Sequence, residues 1–384
     1  MPGDQRYGLG RAVVQLNAGL AAAGMSVGYL CAADLPAPAA ALADERAQRW
    51  VQAHGSDLRS LFDLLSRAWE VGRLAAATAA AQGYTHIHCH DSMVAHGYLA
   101  ASSGVRRAFG ITQHGFHGLA QAIDRHVMPL PPTVSRLLKQ LEIQALEQSN
   151  WVVFPTARGA QEVTADLGLS SMPGQSHVIA HAQPSWPAVN RAQARAALGW
   201  QAGDAVLLAV GQLIPLKRLD WVVRAFATAG AGWRLVILGE GDAQPLQQLA
   251  QNLGAPPPLV TASDQPWLYF SAADAFTSAS ATESFGMAHL EALCAGLPIA
   301  CTSVGGVPEV TGAAALLLAD DEAAYTVGLC QFLHHPGLRQ RLATLSVARA
   351  AEWPDSLAVA KAHLHIYGGQ DQSTAPGQIF DEPF

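Results

Sequence analysis

Short aliphatic runs without alternating polar positions recur along this chain, each set off from the next by a longer alanine-rich stretch. Ala205–Val210 reads AVLLAV, 235–238 reads LVIL, and Trp151–Phe154 reads WVVF. A strand with apolar side chains on both faces must be covered on both. That is the condition of a parallel sheet flanked by helices, built from βαβ units. At 384 residues the chain is too long for one ordinary core, so two domains are expected. Half of its residues are hydrophobic and 14% are charged, enough to fill both cores. The net charge of −7 argues against general nucleic-acid binding, which needs a basic face. No apolar run approaches a membrane span and no charged-then-apolar leader opens the chain. Cysteines 31, 89, 294, 301 and 330 lack a C-x-x-C spacing and read as reduced, buried residues of a cytoplasmic protein.

The expected order begins with a glycine turn at Gly8-Leu9-Gly10, a helix over 11–23 and a strand over 26–31. A polar, Ala/Pro-rich segment runs to about Gly55, followed by a helix over 58–82 and a strand over 85–89. Further strands are expected over 107–112, 151–154 and 177–180, with a helix over 133–148. A proline-containing linker around Pro184 and Pro187 leads to a strand over 205–210 that opens the second domain. There is no internal repeat, and the last dozen residues read as disordered.

The chemistry concentrates near the C-terminal end. Glu283-Ser284-Phe285-Gly286-Met287 runs into a helix that carries Glu291 and closes at Gly296-Leu297-Pro298. Helix-start N–H groups around Gly286 and Met287 and the positive end of the helix dipole suit a diphosphate. Gly286 lets the backbone approach without a Cβ. Carboxylates accept paired hydrogen bonds from sugar hydroxyls, so Glu283 and Glu291 can each hold one end of such a ligand. Taken alone, the segment reads equally well as a surface helix capped by Thr282 or Ser284. A short strand over 297–301 and the glycine-rich turn 303–309 follow it. Together they describe the carboxyl edge of a parallel sheet, where ligands bind.

The segment ESFGMAHLEALCAGLPIACTSVGGVPEV, with Glu283-x7-Glu291, resembles the donor-site signature of retaining glycosyltransferase family 4, the group 1 glycosyltransferases. Residues 210–217 (VGQLIPLK) are similar to the family's strand and loop where an Arg and a Lys bind the donor diphosphate. Residues 235–241 resemble its next strand and turn, and 353–367 its closing helix. The likeness is good from 205 to 367 and patchier before. It implies an α/β GT-B fold, two Rossmann-like domains with parallel sheets facing a central cleft, the C-terminal helix crossing back to the first domain. The implied domains are 1–183 on the acceptor side, 184–352 for the nucleotide sugar, and 353–384 for the crossover helix and a flexible tail. Family members open with a complete strand before the glycine loop, and here seven residues precede Gly8. Either the true start lies upstream or the first domain lacks that strand.

By the same resemblance Lys217 neutralises the leaving diphosphate, with Gln212 and Arg218 beside it. Glu291 holds the ribose, while Glu283, Ser284, Phe285, Gly286 and Met287 hold donor sugar and phosphate. Gly10 belongs to the glycine loop near the phosphate, and His114 faces the transferring sugar. Phe116-His117-Gly118 and a loop to Pro132 shape the acceptor pocket. His86, His88 and His90 share one strand face, so a metal site comes into question. The family usually needs none, and neither metal nor other cofactor is expected. His90 and Asp91 are instead candidates to line the cleft. Gln212 replaces the family's Arg, and 179–184 lacks its Asn-Gly. These departures keep open a non-catalytic nucleotide-sugar binder and a GT-B nucleotide-sugar epimerase. A Rossmann dehydrogenase fits poorly, because no Gly-x-Gly-x-x-Gly follows a strand.

The reading as a whole is a retaining, metal-independent hexosyltransferase of polysaccharide assembly. Its partners are a nucleotide-diphosphate sugar and a glycan, lipid-linked or small-molecule acceptor. Arg106-Arg107 and the helix bearing Arg136 and Lys139 are too sparse for firm membrane docking, which leaves at most peripheral contact with the inner face.

Overall fold

A computed structural model describes residues 8–102, 107–172, 175–229 and 232–368. The residues before Gly8, Arg106 and the tail after Gly368, on which three of the sequence expectations fall, lie outside them. The described chain divides into two compact units: 20–180 with 360–368, and 8–19 with 181–359. No helix among the described residues is long and apolar enough to cross a membrane.

The first unit holds four parallel strands, β1 (His86–Cys89), β2 (Ala108–Thr112), β3 (Trp151–Phe154) and β4 (Ser176–Val178), adjacent in chain order. Ile87, Phe109, Ile111, Val152 and Phe154 face one core with Tyr98, Leu99 and Leu146. Trp151 and Val153 face the other side, where Ile366 of helix Ser356–Gly368 packs on them. This closing helix thus ends in the first unit. Helices Arg59–Gln82 and Ser92–Ala101 approach closely because of two glycines. A Cβ on Gly97 would lie 1.9 Å from the Trp69 carbonyl oxygen, and one on Gly72 2.0 Å from that of Val94.

Two local expectations fail here, and a segment left without an assigned element proves helical. Residues 26–31 form no strand: 26–28 are exposed, 29–31 half-buried, and no strand among the described residues pairs with them. Ser26 and Gly28 interrupt any continuous apolar face that could recruit a neighbour. The Ala/Pro-rich segment before Gly55 is helical over Ala37–His54, since alanine favours helix and a proline is tolerated in the first turn. Its Trp50 is fully buried against Phe62, and its Arg46 pairs with the buried Glu70 at 2.5 Å. Gly8-Leu9-Gly10 is not a turn either. It forms the first turn of helix Gly8–Ala22, whose residues up to Gly19 cluster with the second unit.

The second unit holds a single sheet of six parallel strands. They are β5 (Ala205–Val210), β6 (Trp233–Leu238), β7 (Leu259–Thr261), β8 (Ala275–Ser278), β9 (Ile299–Thr302) and β10 (Ala315–Leu318). From β5 the chain builds outward through β6 and β7, then returns to the other side of β5 with β8 and builds outward again. The reversal makes the carboxyl ends of β5 and β8 the switch point, where open α/β sheets leave a crevice.

Candidate functional site

The loops leaving β5 and β8 bring together residues 66 positions apart. After β5 the chain runs through Gly211 and Gln212 into the short turn Pro215–Lys217. After β8 it runs through Ser280 to Glu283. Lys217 Nζ donates to Glu283 Oε1 at 2.5 Å, and Ser280 Oγ donates to the same oxygen at 2.8 Å. Burial alone would raise the Glu283 pKa, but Lys217, His289 and these hydrogen bonds together hold it below the usual carboxylate value. The Glu283 backbone is fixed as well. Its carbonyl accepts from Gly306 N at 2.9 Å, and a Cβ on Gly305 (φ 52°) would lie 1.9 Å from that oxygen.

Gly286, at φ 89°, starts helix Met287–Cys294. The phenyl ring of Phe285 is buried edge-on against Trp353, and the Met287 side chain is buried beside Gly8. Both side chains are taken up by packing, so the backbone N–H groups are the polar groups that this helix start offers. Glu291 is fully buried on this helix, with Arg11 Nε 3.1 Å from Oε1 but without the alignment of a hydrogen bond. Burial pushes its pKa up to about 7, against the pull of Arg11.

Arg218 adopts left-handed backbone at φ 44°, pairs with Asp320 and lies 4.3 Å over the Trp221 ring. Gly10 lies one residue before Arg11 in the same helical turn. The sequence reading missed two groups here, Arg11 and His289. His289 is buried next to Glu283, and burial takes its pKa down to about 4. Gly286 makes room for it: a Cβ there would lie 2.7 Å from His289 Nδ1. The i to i+3 spacing of the two was the available signal.

In the first unit His114 follows β2, and its Nε2 meets His90 Nδ1 at 2.8 Å. His86 and His88 share a face of β1 as expected. The nitrogens of His88 bond Tyr367 Oη at 2.6 Å and Thr112 Oγ1 at 2.7 Å. Asp91 caps helix Ser92–Ala101 through the Met93 and Val94 N–H groups. Residues between Gly118 and Pro132, expected as a loop, include helix Leu119–His126. Its start is held by the fully buried Glu142, which accepts from Gln113 Nε2 at 2.5 Å and Leu119 N at 2.7 Å. Burial raises the Glu142 pKa to about 7. Among the described residues, one group of donor atoms is close enough for a metal: His117 with Asp166 and Glu162, at 2.9 and 3.5 Å from its Nδ1.

Comparison with known proteins identifies the family and the fold. The family model described as Glycosyltransferase Family 4 matches residues 7–182, and that of Glycosyl transferases group 1 matches 190–345. The chain belongs to the group 1 glycosyltransferases and has the GT-B fold. It is 29% identical over 318 residues to a D-inositol 3-phosphate glycosyltransferase of Streptomyces scabiei, covering 75% of this chain and 69% of that one. The chain spans about two thirds or less of the length of such relatives. Sucrose-phosphate synthase from Thermosynechococcus elongatus superposes with a TM-score of 0.72 at 20% identity, over 94% of this chain and 93% of that one. Anabaena HepE in complex with UDP and glucose gives 0.64 at 16% identity, over 77% and 81%.

Proposed function

We propose that this protein transfers a sugar from a nucleotide diphosphate, with retention of anomeric configuration and without a metal. The observation that carries the reading is the meeting of Lys217 and Glu283 at the β5/β8 switch point, beside a helix start and the buried Glu291. Breaking the sugar–phosphate bond builds negative charge on the nucleotide, and a preorganised cation lowers that barrier. Lys217 supplies it. The N–H groups at Gly286 and Met287 hold phosphate, Glu283 accepts from sugar hydroxyls, and Glu291 accepts from the ribose diol. Gln212, neutral where an Arg is usual, adds an amide donor, and Arg218 adds to the field of the site while bound to Asp320. His114 donates to a substrate oxygen. In the retaining course the leaving phosphate itself assists attack by the acceptor on the same face.

Uracil is the first base to try, because HepE, of the same fold, forms a complex with UDP. The acceptor is a glycan, a lipid-linked glycan or a small molecule. Free cysteines among the described residues favour the cytoplasm. The test is UDP release from a panel of UDP-sugars, with and without acceptor extracts, and proton NMR of the anomeric centre of any product. Transfer with the donor's own anomeric configuration supports the reading. Donor-only formation of an isomeric sugar nucleotide would replace it with an epimerase.

A further inference from the structure

The amino ends of the strands in the second unit border a cavity of about 680 Å³ that the donor chemistry does not use. That volume is enough for a small metabolite. Ala273 and Asp274, just before β8, form part of its wall, as do Leu297 and Pro298, just before β9. Lys217 and Glu283 lie beyond the carboxyl ends of β5 and β8. At roughly 3.3 Å per residue, the four residues of β8 alone put about 13 Å between the two places.

Three charged side chains line the cavity: Arg191, Asp274 and Arg339. Asp274 is already taken. It pairs with Arg191 and with the buried Arg195, and it accepts from Val206 N at 2.8 Å. Arg195 thus offsets the one carboxylate of the lining, and the two lining cations leave the wall positive. Cys294 adds no charge, because burial and Glu291 push its thiol up to about 12. Helices Arg191–Leu198 and Pro336–Ala350 start near the cavity, while Pro266–Ala272 and Met287–Cys294 end there, so their dipoles largely offset one another.

Arg339 is the lining cation without a carboxylate partner among the described residues. Its Nη1 donates to the Phe332 and Leu333 carbonyls at 2.8 and 2.5 Å, and its guanidinium lies 5.0 Å over the Trp233 ring. No described residue accepts from Nε or Nη2, the edge that can fork onto two oxygens of one anion. Burial pulls its pKa down against the pull of Asp274, as befits a cation short of counter-charge. Polar groups suited to hydroxyls stand in the same wall. The Ser271 hydroxyl, the Gln340 amide and the carbonyls of Cys294 and Ala295 make no hydrogen bond among the described residues. Trp186, tilted 33° against Phe270 at 5.2 Å, adds apolar surface for the C–H face of a sugar ring.

We infer that this cavity is a second ligand site and takes a phosphorylated sugar. The Nε–Nη2 edge of Arg339 holds the phosphate, Arg191 adds its charge, and Ser271, Gln340 and the free carbonyls bond the hydroxyls. Helix Met287–Cys294 borders this site at its end and the proposed donor phosphate at its start. The site stands independently of the donor assignment.

Calorimetry on the full chain tests it with glucose 6-phosphate, mannose 6-phosphate and glucose 1-phosphate, beside glucose and inorganic phosphate. At least one sugar phosphate should bind, and more tightly than either glucose or inorganic phosphate. Arg339→Gln removes the fork and should weaken that binding by at least about tenfold, the scale of a lost charged hydrogen bond. Ala343→Phe fills the cavity while leaving both arginines in place, and should abolish binding. Glu291→Ala should leave it unchanged. Thermal melts of each variant identify any that fail to fold, and Ala343→Phe serves as the decisive variant if Arg339→Gln does. No binding of any sugar phosphate at millimolar concentration overturns the inference, as does wild-type affinity in folded Ala343→Phe. Loss of binding in Glu291→Ala would move the ligand to the donor edge and overturn it too. Inorganic phosphate binding as tightly as the sugar phosphates would refute the sugar class.

Discussion

Replacing Lys217 by Met separates structural support from chemistry at the β5/β8 switch point. The Lys217 and Glu283 side chains are 20% and 18% exposed, between a surface pair and a buried one. At 2.5 Å and an effective dielectric near 20, the gross attraction is roughly 7 kcal/mol, most of it offset by desolvation. Surface pairs contribute about 0.2–1 kcal/mol, and breaking a buried pair costs about 3–5. Lys217→Met should therefore destabilise the protein by roughly 1–3 kcal/mol, because it leaves Ser280 Oγ as the side-chain donor to that oxygen among the described residues. Turnover should fall by about a hundredfold to a thousandfold, the usual loss for a preorganised group opposite developing charge. The double variant Lys217→Met/Glu283→Gln removes the stranded carboxylate and should recover most of the stability but none of the turnover. Urea denaturation monitored by tryptophan fluorescence and UDP release on the same samples supply both numbers. Wild-type turnover in folded Lys217→Met, or turnover returning in the double variant, would refute the assignment of Lys217 to the leaving diphosphate.

Other perturbations follow from the buried groups. Glu142 has a folded pKa of about 7, above its unfolded value, so its contribution is fully present below about pH 4.5 and is lost as pH rises through 7. Glu142→Gln should flatten the pH dependence of stability over that window, read from denaturation midpoints, while its single amide oxygen leaves one of the two N–H donors from Gln113 and Leu119 unmet. Glu291, also brought near 7 by burial, has to ionise if it accepts two ribose hydroxyls as proposed. Donor affinity should rise with pH and fall by about tenfold at pH 6 relative to its plateau, as calorimetry at several pH values would reveal. Gly305→Ala places a Cβ 1.9 Å from the Glu283 carbonyl oxygen in left-handed backbone. It should cost roughly 3 kcal/mol or more and lower the melting temperature, and a neutral effect would mean that the 303–306 turn is looser than described.

The sequence was most legible where one interaction dominates. Ala205–Val210 and Trp151–Phe154 begin and end where their uninterrupted apolar runs do, because burial on both faces leaves no competing conformation. Glu283, Gly286 and Glu291 could be read together because they lie within one helix start. The Lys217–Glu283 contact could not be read from local pattern, since it depends on β8 returning beside β5. The short strands β7, β8 and β10 were absent from the reading: three or four residues carry too little periodicity to distinguish strand from coil. Residues 26–31 show the opposite error, since an aliphatic and aromatic content suits a strand only where a neighbour exists to pair with it. The His90–His114 bond joins two strand ends whose adjacency follows from the β1–β2 register. Spacing along β1 gave the shared histidine face but not the partner.

The most direct test of the donor site is a calorimetric titration of the wild type and Glu291→Ala with a panel of UDP-sugars. The account predicts selective binding of one donor by the wild type. Glu291→Ala should lose at least about tenfold in affinity, the least expected from removing a charged acceptor of the ribose hydroxyls. Binding of equal strength to both proteins would contradict the placement of the ribose at Glu291 and with it the assignment of the β5/β8 switch point as the donor site.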